Sequence, residues 1–287
     1  MSRAHIPAEN LAIWREAAIE NRELRHLQIE ALAERAAALL AKGEEMDPTR
    51  LGLMPLLREE DIFQQMTATD ERMAFCKALF RLRPPQAEKP LPSPPSSPRV
   101  ARLSGAVFSA AWEQFSPLLP NALPVPLSTL SELLEEIAAG NADFAIFPIE
   151  DTRGSRFLHF YEEFERLELC VAADCRGSHE ENGYAYRFLL LSKQFSVLPS
   201  PVAALMAEYC LPGEDPRLLT EFLTAADAAG MTLLRLDSQP ALYPEGSFTY
   251  YPVLRTTGEG ATLLRLYLQL FLPRVSAIAT YAHIKGV

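Results

Sequence analysis

Seven of the fifteen residues from position 84 to 98 are proline. Proline lacks the backbone N–H that helices and sheets require, and runs of it favour an extended polyproline geometry. We therefore expect residues 84–98 to be a linker between an N-terminal domain, residues 1–83, and a C-terminal region that begins at residue 99.

The N-terminal region has helical patterning. Apolar residues between positions 9 and 42 recur at steps of three and four, which predicts one long helix that Gly43 can end. Two shorter patterns predict helices over residues 54–66 and 69–82, with Thr69 suited to cap the last of them. A three-helix module results.

Beyond the linker the sequence alternates between strand and helix patterns. Residues 100–109, 128–141 and 142–150 predict a strand, a helix and a strand, with the two strands parallel. This α/β domain is assigned residues 99–200. Residues 201–287 predict a β-α-β-β-α-β unit of ferredoxin-like type, with elements at 205–211, 216–230, 231–242, 247–256, 261–271 and 275–284.

Charge and composition exclude several partners. The chain has 27 Lys and Arg against 37 Asp and Glu, a formal charge of -10, which disfavours nucleic acid and anionic membranes. The first residues do not have the pattern of a signal peptide, and no apolar run is long enough to span a bilayer. The four cysteines and five histidines show no metal-ligand spacing. We expect a cytoplasmic protein with reduced thiols and without metal or cofactor.

Short motifs in the C-terminal unit resemble those of ACT domains attached to phenylalanine-regulated dehydratases and hydroxylases. Residues 230–233, Gly-Met-Thr-Leu, are similar to the Gly-Ile-Asn-Leu of that domain. Residues 237–240, Asp-Ser-Gln-Pro, are similar to its Glu-Ser-Arg-Pro, and residues 279–281, Ala-Thr-Tyr, to its closing Gly-Ser-Tyr.

The preceding region resembles prephenate dehydratase. Residues 148–152, Pro-Ile-Glu-Asp-Thr, are similar to the Pro-Ile-Glu-Asn-Ser of that enzyme, and residues 108–109 to its Thr-Phe-Ser motif. Residues 186–188, Tyr-Arg-Phe, are similar to the Thr-Arg-Phe strand that carries the catalytic threonine. Residues 11–16 and 58–62 resemble motifs of the all-helical chorismate mutase. The order of these motifs along the chain, mutase-like, then dehydratase-like, then ACT-like, resembles that of the bifunctional chorismate mutase/prephenate dehydratase family of phenylalanine biosynthesis.

This resemblance implies an α+β multidomain fold with a mutase-like helical module, a truncated dehydratase-like lobe and an ACT domain. It implies candidate ligands as well: chorismate, prephenate or an aromatic amino acid. The implied candidate residues are, for mutase chemistry, Arg15, Arg35, Lys42, Arg58 and Glu59; for dehydratase chemistry, Tyr186 and Arg187; and for effector binding, Leu218, Leu219, Asp237 and Ser238.

Structural roles compete with these chemical ones. For the charged residues of the N-terminal helices, a solvated helix face is the default interpretation. Arg187 is either a retained anion contact or a paired surface charge, and Tyr186 is better suited to packing than to chemistry. Asp237 and Ser238 also suit a turn.

Departures from the family pattern point away from dehydratase activity. Only residues 153–185 separate the two dehydratase motifs, which leaves no room for the second lobe that closes the family's substrate cleft. Tyr186 stands where the family has its catalytic threonine, and Asp151 adds a carboxylate that repels a dicarboxylate substrate. We expect a pseudoenzyme with a regulatory or scaffolding role. The alternatives are an active chorismate mutase, a residual dehydratase, and a repurposed amino-acid-binding module.

Two expectations concern assembly and effector. The long helix exceeds what two short helices can cover, which predicts a homodimer. In the loop that resembles the effector site, Arg217 replaces a glycine and Gln239 an arginine, so weak or absent phenylalanine binding is expected.

Overall fold

The computed structural model describes residues 8–46, 62–84, 93–150, 163–164, 166–179, 184–193, 204–240 and 248–284. Contacts between Cα atoms divide the chain into two compact units. The first contains residues 1–86, 216–229 and 262–274, and the second contains residues 87–215, 230–261 and 275–287. Among the described residues, no helix combines the length and apolar character needed to cross a membrane.

The first unit contains the N-terminal helices. The predicted long helix is confirmed as α1, Ala8–Met46, and the third as α2, Thr69–Leu82. Of the second, residues 54–61 lie outside the described part, and Phe63–Gln65 form a 3₁₀ turn instead of an α-helix. The expected cap was wrong. Thr69 is already helical, and Ala68 occupies the N-cap position without a side-chain hydrogen bond.

The two helices pack through apolar residues at helical spacing. On α1 the buried residues are Ile29, Leu32, Ala33, Ala36 and Leu40; on α2 they include Met73, Cys76 and Leu79. At the edge of this contact, Arg25 Nε donates to Glu71 Oε1 at 2.6 Å. The hydrogen bond from Arg25 holds the pKa of Glu71 at about 2. Two further helices, α5 (Pro216–Ala228) and α6 (Gly258–Phe271), contribute to the same unit.

The second unit is built on a nine-stranded mixed sheet in the order β2-β1-β3-β5-β4-β9-β6-β8-β7. Among the described residues of this unit, α3 (Ala106–Phe115) and α4 (Leu130–Ala138) pack on the sheet. The strands are β1 Arg99–Leu103, β2 Leu123–Leu127, β3 Phe144–Glu150, β4 Cys170–His179, β5 Tyr184–Ser192, β6 Ala204–Pro212, β7 Thr232–Pro240, β8 Phe248–Thr256 and β9 Ser276–His283.

The first half of the sheet confirms the parallel pair and corrects its details. Strands β1 and β3 are parallel neighbours, as predicted. The predicted strand 100–109 ends early, since Gly105, with φ at 130°, turns the chain into α3. Strand β2 was not predicted because two of its five residues are proline. An edge strand tolerates proline, which needs no ladder donor on its outer side.

The predicted helix after β2 is confirmed as α4. Thr129 caps it: its hydroxyl accepts from the backbone N–H of Glu132, and the Glu132 side chain accepts from the backbone of Thr129. This reciprocal pair satisfies two N–H groups that the first helical turn leaves open.

The second half of the sheet confirms the predicted β-α-β-β-α-β order as β6-α5-β7-β8-α6-β9. Its strands lie in the order β9-β6-β8-β7, and every neighbouring pair is antiparallel.

Two apolar clusters cover opposite faces of the sheet, because successive residues of a strand point to opposite sides. On β3, Phe144 and Ile146 join α3 in one cluster, and Ala145 and Phe147 join α4 in the other. We call these the α3 face and the α4 face. The α4-face cluster also includes Met206 of β6 and Tyr281 of β9, so residues of both halves of the sheet share it.

Candidate functional site at the seam of the sheet

The two halves of the sheet meet where β4 lies beside β9. These strands are parallel and pair at two positions, Ala173 with Ala282 and Asp174 with His283. We call this junction the seam. A ladder this short offers few backbone hydrogen bonds, so side chains have a large part in holding the two halves together.

A buried guanidinium lies at the seam. Arg187 on β5 is 7% exposed. Its Nε donates to Asp174 Oδ2 of β4 at 2.7 Å, and its Nη2 donates to Glu208 Oε1 of β6 at 2.7 Å. The same Nη2 contacts the hydroxyl of Tyr281 on β9, which donates to Glu208 Oε1. One side chain from the first half thus reaches two strands of the second.

His283 completes this seam cluster, which we define as Asp174, Arg187, Glu208, Tyr281 and His283. Its Nδ1 lies 2.8 Å from Asp174 Oδ1. Next to it the backbone N–H of Ile284 donates to the carbonyl oxygen of Asp174 at 2.9 Å. The imidazole is the most exposed group of the cluster, at 23% of its side chain.

Arg187 compensates the negative charge of the two buried carboxylates in the cluster. Asp174 and Glu208 are each 2% exposed, and a buried carboxylate costs several kcal/mol unless a cation and hydrogen bonds compensate it. Nearby, burial and the negative charge of Asp174 raise the pKa of the Cys175 thiol. The Arg187 guanidinium thus has a carboxylate on each side of the seam, Asp174 and Glu208, each at 2.7 Å.

A second arginine makes a similar bridge on the same unit. Arg235 on β7 places Nη1 2.7 Å from Glu150 Oε1 at the end of β3, and its Nε donates to Asp237 Oδ1 at 2.8 Å. Glu150 belongs to the Pro-Ile-Glu motif and Asp237 to the Asp-Ser-Gln-Pro motif. Arg235 therefore connects a dehydratase-like motif with an ACT-like motif. Arg187 does the same, since it belongs to Tyr-Arg-Phe and contacts Tyr281 of the Ala-Thr-Tyr motif.

The structure separates the two dehydratase-like candidates. Arg187 points to the α4 face, whereas the neighbouring Tyr186 packs on the α3 face, with its ring centroid 6.0 Å from that of Phe188. Arg187 is not a surface charge, because it is buried, and its guanidinium is bonded to two carboxylates of the same chain. Tyr186 occupies a packing position.

The mutase-like candidates do not form a described group. Arg58 and Glu59 lie outside the described residues, as does the side chain of Arg15. Arg35 and Lys42 lie on α1 and are exposed. The mutase roles of these five residues remain predictions.

The effector candidates fall in different units. Leu218 is buried and Leu219 half-buried on α5, in the first unit. Asp237 is half-buried and Ser238 exposed on β7, in the second unit. Asp237 already accepts a hydrogen bond from Arg235.

Sequence reasoning did not identify Asp174, Glu208, His283 or Arg235 as site residues. One signal was available. Glu208 interrupts an otherwise apolar strand, Leu-Met-Ala-Glu-Tyr-Cys-Leu, and a charge at such a position is informative because carboxylates are rarely buried without a partner. In the described part of the chain, no three His, Cys, Asp or Glu residues are grouped to hold a metal ion.

Comparisons with known proteins identify the fold. No protein-family model and no curated protein matches the sequence. Among solved structures, prephenate dehydratase from Streptococcus mutans is similar with a TM-score of 0.52 and 16% identity, over 66% of this chain and 100% of that chain.

Two further structures are similar at TM-scores below 0.5. GqqA, described as a novel type of quorum-quenching acylase, has a TM-score of 0.49 and 16% identity, over 64% of this chain and 94% of its own. Prephenate dehydratase from Arthrobacter aurescens in complex with L-Phe has a TM-score of 0.48 and 16% identity, over 64% of this chain and 89% of its own. The conclusion rests on the first structure: this chain has a prephenate dehydratase-like fold.

Replacing Arg187 should destabilise the protein strongly. Arg187→Met leaves Asp174 and Glu208 buried without their cation, which should lower the free energy of unfolding by about 3–5 kcal/mol. Arg166→Met is the matched control, since its pair with Glu163 is 66% exposed at the arginine and should cost less than about 1 kcal/mol. Urea denaturation measures both. Equal costs for the two variants would contradict the role assigned to Arg187.

Proposed function

We propose that this protein is a catalytically silent relative of prephenate dehydratase with a regulatory or scaffolding role in phenylalanine biosynthesis. The observation that carries the proposal is the seam cluster. The arginine of the Tyr-Arg-Phe motif donates to Asp174 and Glu208 of its own chain and supports the fold.

Prephenate is a dicarboxylate, so a dehydratase site needs cations that are free to meet it and a group that assists loss of its hydroxyl. Here Arg187 is bonded to two carboxylates, and Tyr186 packs on the opposite face of the sheet. An anion brought to Arg187 would meet the negative charges of Asp174 and Glu208 at hydrogen-bond range. Neither Arg187 as a free cation nor Tyr186 as a group that assists loss of the hydroxyl is therefore in place for this chemistry.

The course of the chain supports the same proposal. Strands β4 and β5 are antiparallel neighbours joined across residues 180–183, and the other neighbour of β4 is β9 of the C-terminal unit. Of the residues that would have to form a second lobe, 170–179 and 184–185 belong instead to strands inside the sheet. A cleft with a single wall cannot exclude water and position a substrate at once.

The C-terminal β-α-β-β-α-β unit is the part we propose to be regulatory, as an ACT-like module. Its motif residue Asp237 is engaged by Arg235, which reduces its availability to the amino group of an amino acid. A repurposed amino-acid-binding module, specific for a ligand other than phenylalanine, is the competing interpretation of this unit.

Chorismate mutase is the alternative enzymatic function. It is favoured by the length of α1, 39 residues, and by Arg35 and Lys42 on the exposed part of that helix. These cations would have to meet a dianionic substrate and its breaking ether bond.

We further propose that the protein is a homodimer. Ile19, Leu24 and Leu27 on the first half of α1 are 59–61% exposed, and a second copy would cover them. Light scattering should return about twice the monomer mass of 32.0 kDa; a monomer at micromolar concentration contradicts the proposal.

Purified protein should not convert prephenate to phenylpyruvate above the uncatalysed rate, because the cation and the proton donor are engaged elsewhere. Phenylpyruvate absorbance in alkali measures this, with a known dehydratase as positive control. Product that forms in proportion to protein concentration would refute the proposal. A parallel assay of chorismate loss decides the mutase alternative, with Lys42→Ala as the variant that must abolish any activity seen.

Phenylalanine should not raise the melting temperature. A ligand that binds with a Kd one hundredth of its concentration adds about 2.7 kcal/mol of stability, which a domain of this size would register as several degrees. A screen of amino acids at millimolar concentration tests this. A rise with phenylalanine alone would restore a phenylalanine sensor, whereas a rise with a different amino acid would favour the repurposed binding module.

A further inference from the structure

The first unit joins helices from both ends of the chain. This compact unit contains the N-terminal helices α1 and α2. It also contains α5 and α6, the two helices of the C-terminal β-α-β-β-α-β segment. The direct link is an ion pair between residues 149 positions apart in sequence, Arg72 on α2 and Glu221 on α5. The linker and the whole dehydratase-like lobe lie between them in the chain.

The link is a three-residue network, which we call the helix latch: Arg72, Glu221 and Tyr267. Arg72 Nη1 donates to Glu221 Oε1 at 2.5 Å, and the hydroxyl of Tyr267 on α6 donates to the same oxygen at 2.8 Å. Arg72 Nε also donates to the carbonyl oxygen of Met66 at 3.3 Å. Three helices therefore meet at one carboxylate oxygen.

Aromatic packing encloses the latch on one side. The Arg72 guanidinium lies 5.3 Å from the ring centroid of Phe271 on α6, and Phe75 of α2 meets the same ring edge-on at 6.4 Å. Tyr267 is fully buried, and burial together with the neighbouring Glu221 raises the pKa of its phenol. Hydrogen bonds in such low-dielectric surroundings are stronger than those on the surface.

Helices α5 and α6 are connected along the chain to strands of the sheet. Helix α5 follows β6 and precedes β7, and α6 follows β8 and precedes β9. Strands β6 and β9 supply Glu208 and Tyr281 to the seam cluster. Each of these helices is therefore continuous in the chain with a strand that contributes to the seam cluster.

We propose that the helix latch makes the N-terminal helices and the two helices of the C-terminal unit one cooperative body, so that an event on α2 is transmitted to α5 and α6. Because coupling between sites is reciprocal, a ligand of the C-terminal unit would in turn act on the N-terminal helices. The device would serve a regulatory protein and an active mutase alike, so its test is independent of the proposed function.

Hydrogen exchange of the full chain tests the latch. Glu221→Gln removes the charge from the shared carboxylate, and Tyr267→Phe removes only a hydroxyl while the ring still packs. Each should speed the exchange of amides in α2, α5 and α6 together, by about tenfold for Glu221→Gln, because a part-buried hydrogen bond to a charged group is lost. Thr224→Ala is the matched control on α5, since this exposed hydroxyl bonds only within its own helix, to the carbonyl of Thr220.

The outcomes separate cleanly. Faster exchange in all three helices for both latch variants, with Thr224→Ala unchanged, supports the proposal. Faster exchange confined to the helix that carries the substitution overturns it, as does unchanged exchange or an equal effect of Thr224→Ala. Tyr267→Phe keeps the test decisive if Glu221→Gln fails to fold.

Discussion

The buried guanidinium of Arg187 links the two halves of the sheet at the seam. Arg187 compensates two carboxylates that are almost completely removed from water, one from each side of a seam with only two paired positions. A guanidinium suits this position because its donors diverge in one plane and it keeps its charge when buried. The short ladder between β4 and β9 and the shared apolar cluster on the α4 face lie at the same junction.

Two residues of the dehydratase-like motifs make ion pairs within the chain. The arginine of Tyr-Arg-Phe and the glutamate of Pro-Ile-Glu are still present, yet each is paired with a residue of the same chain, through Glu208 and Arg235 respectively. Fold similarity alone does not establish activity. At the seam, the carboxylates of Asp174 and Glu208 both lie at hydrogen-bond distance from the Arg187 guanidinium.

Local patterns predicted much of the fold. Helices α1 and α2, the parallel pair of β1 and β3, and the whole β-α-β-β-α-β order have clear periodicities, and all were confirmed. Strand β2 was missed because its prolines resemble a loop, and the start of α3 was missed because Gly105 alone marks the boundary. Most of the candidate site could not be predicted from the sequence. Arg187 and Tyr281 are in contact although they are 94 positions apart, and no local sequence pattern indicates such a pair. Arg187 itself was found through the motif, but its burial and its partners were not.

A double-mutant cycle between Arg187 and Tyr281 tests the central claim most directly, because the two residues come from opposite sides of the seam. Tyr281→Phe keeps the ring in the α4-face cluster and removes only the hydroxyl that bonds the Arg187–Glu208 pair. The unfolding free energies of Arg187→Met, Tyr281→Phe and the double variant should depart from additivity by about 1 kcal/mol or more, as for residues of one network. Additivity within about 0.5 kcal/mol would show that the seam cluster does not act as a unit.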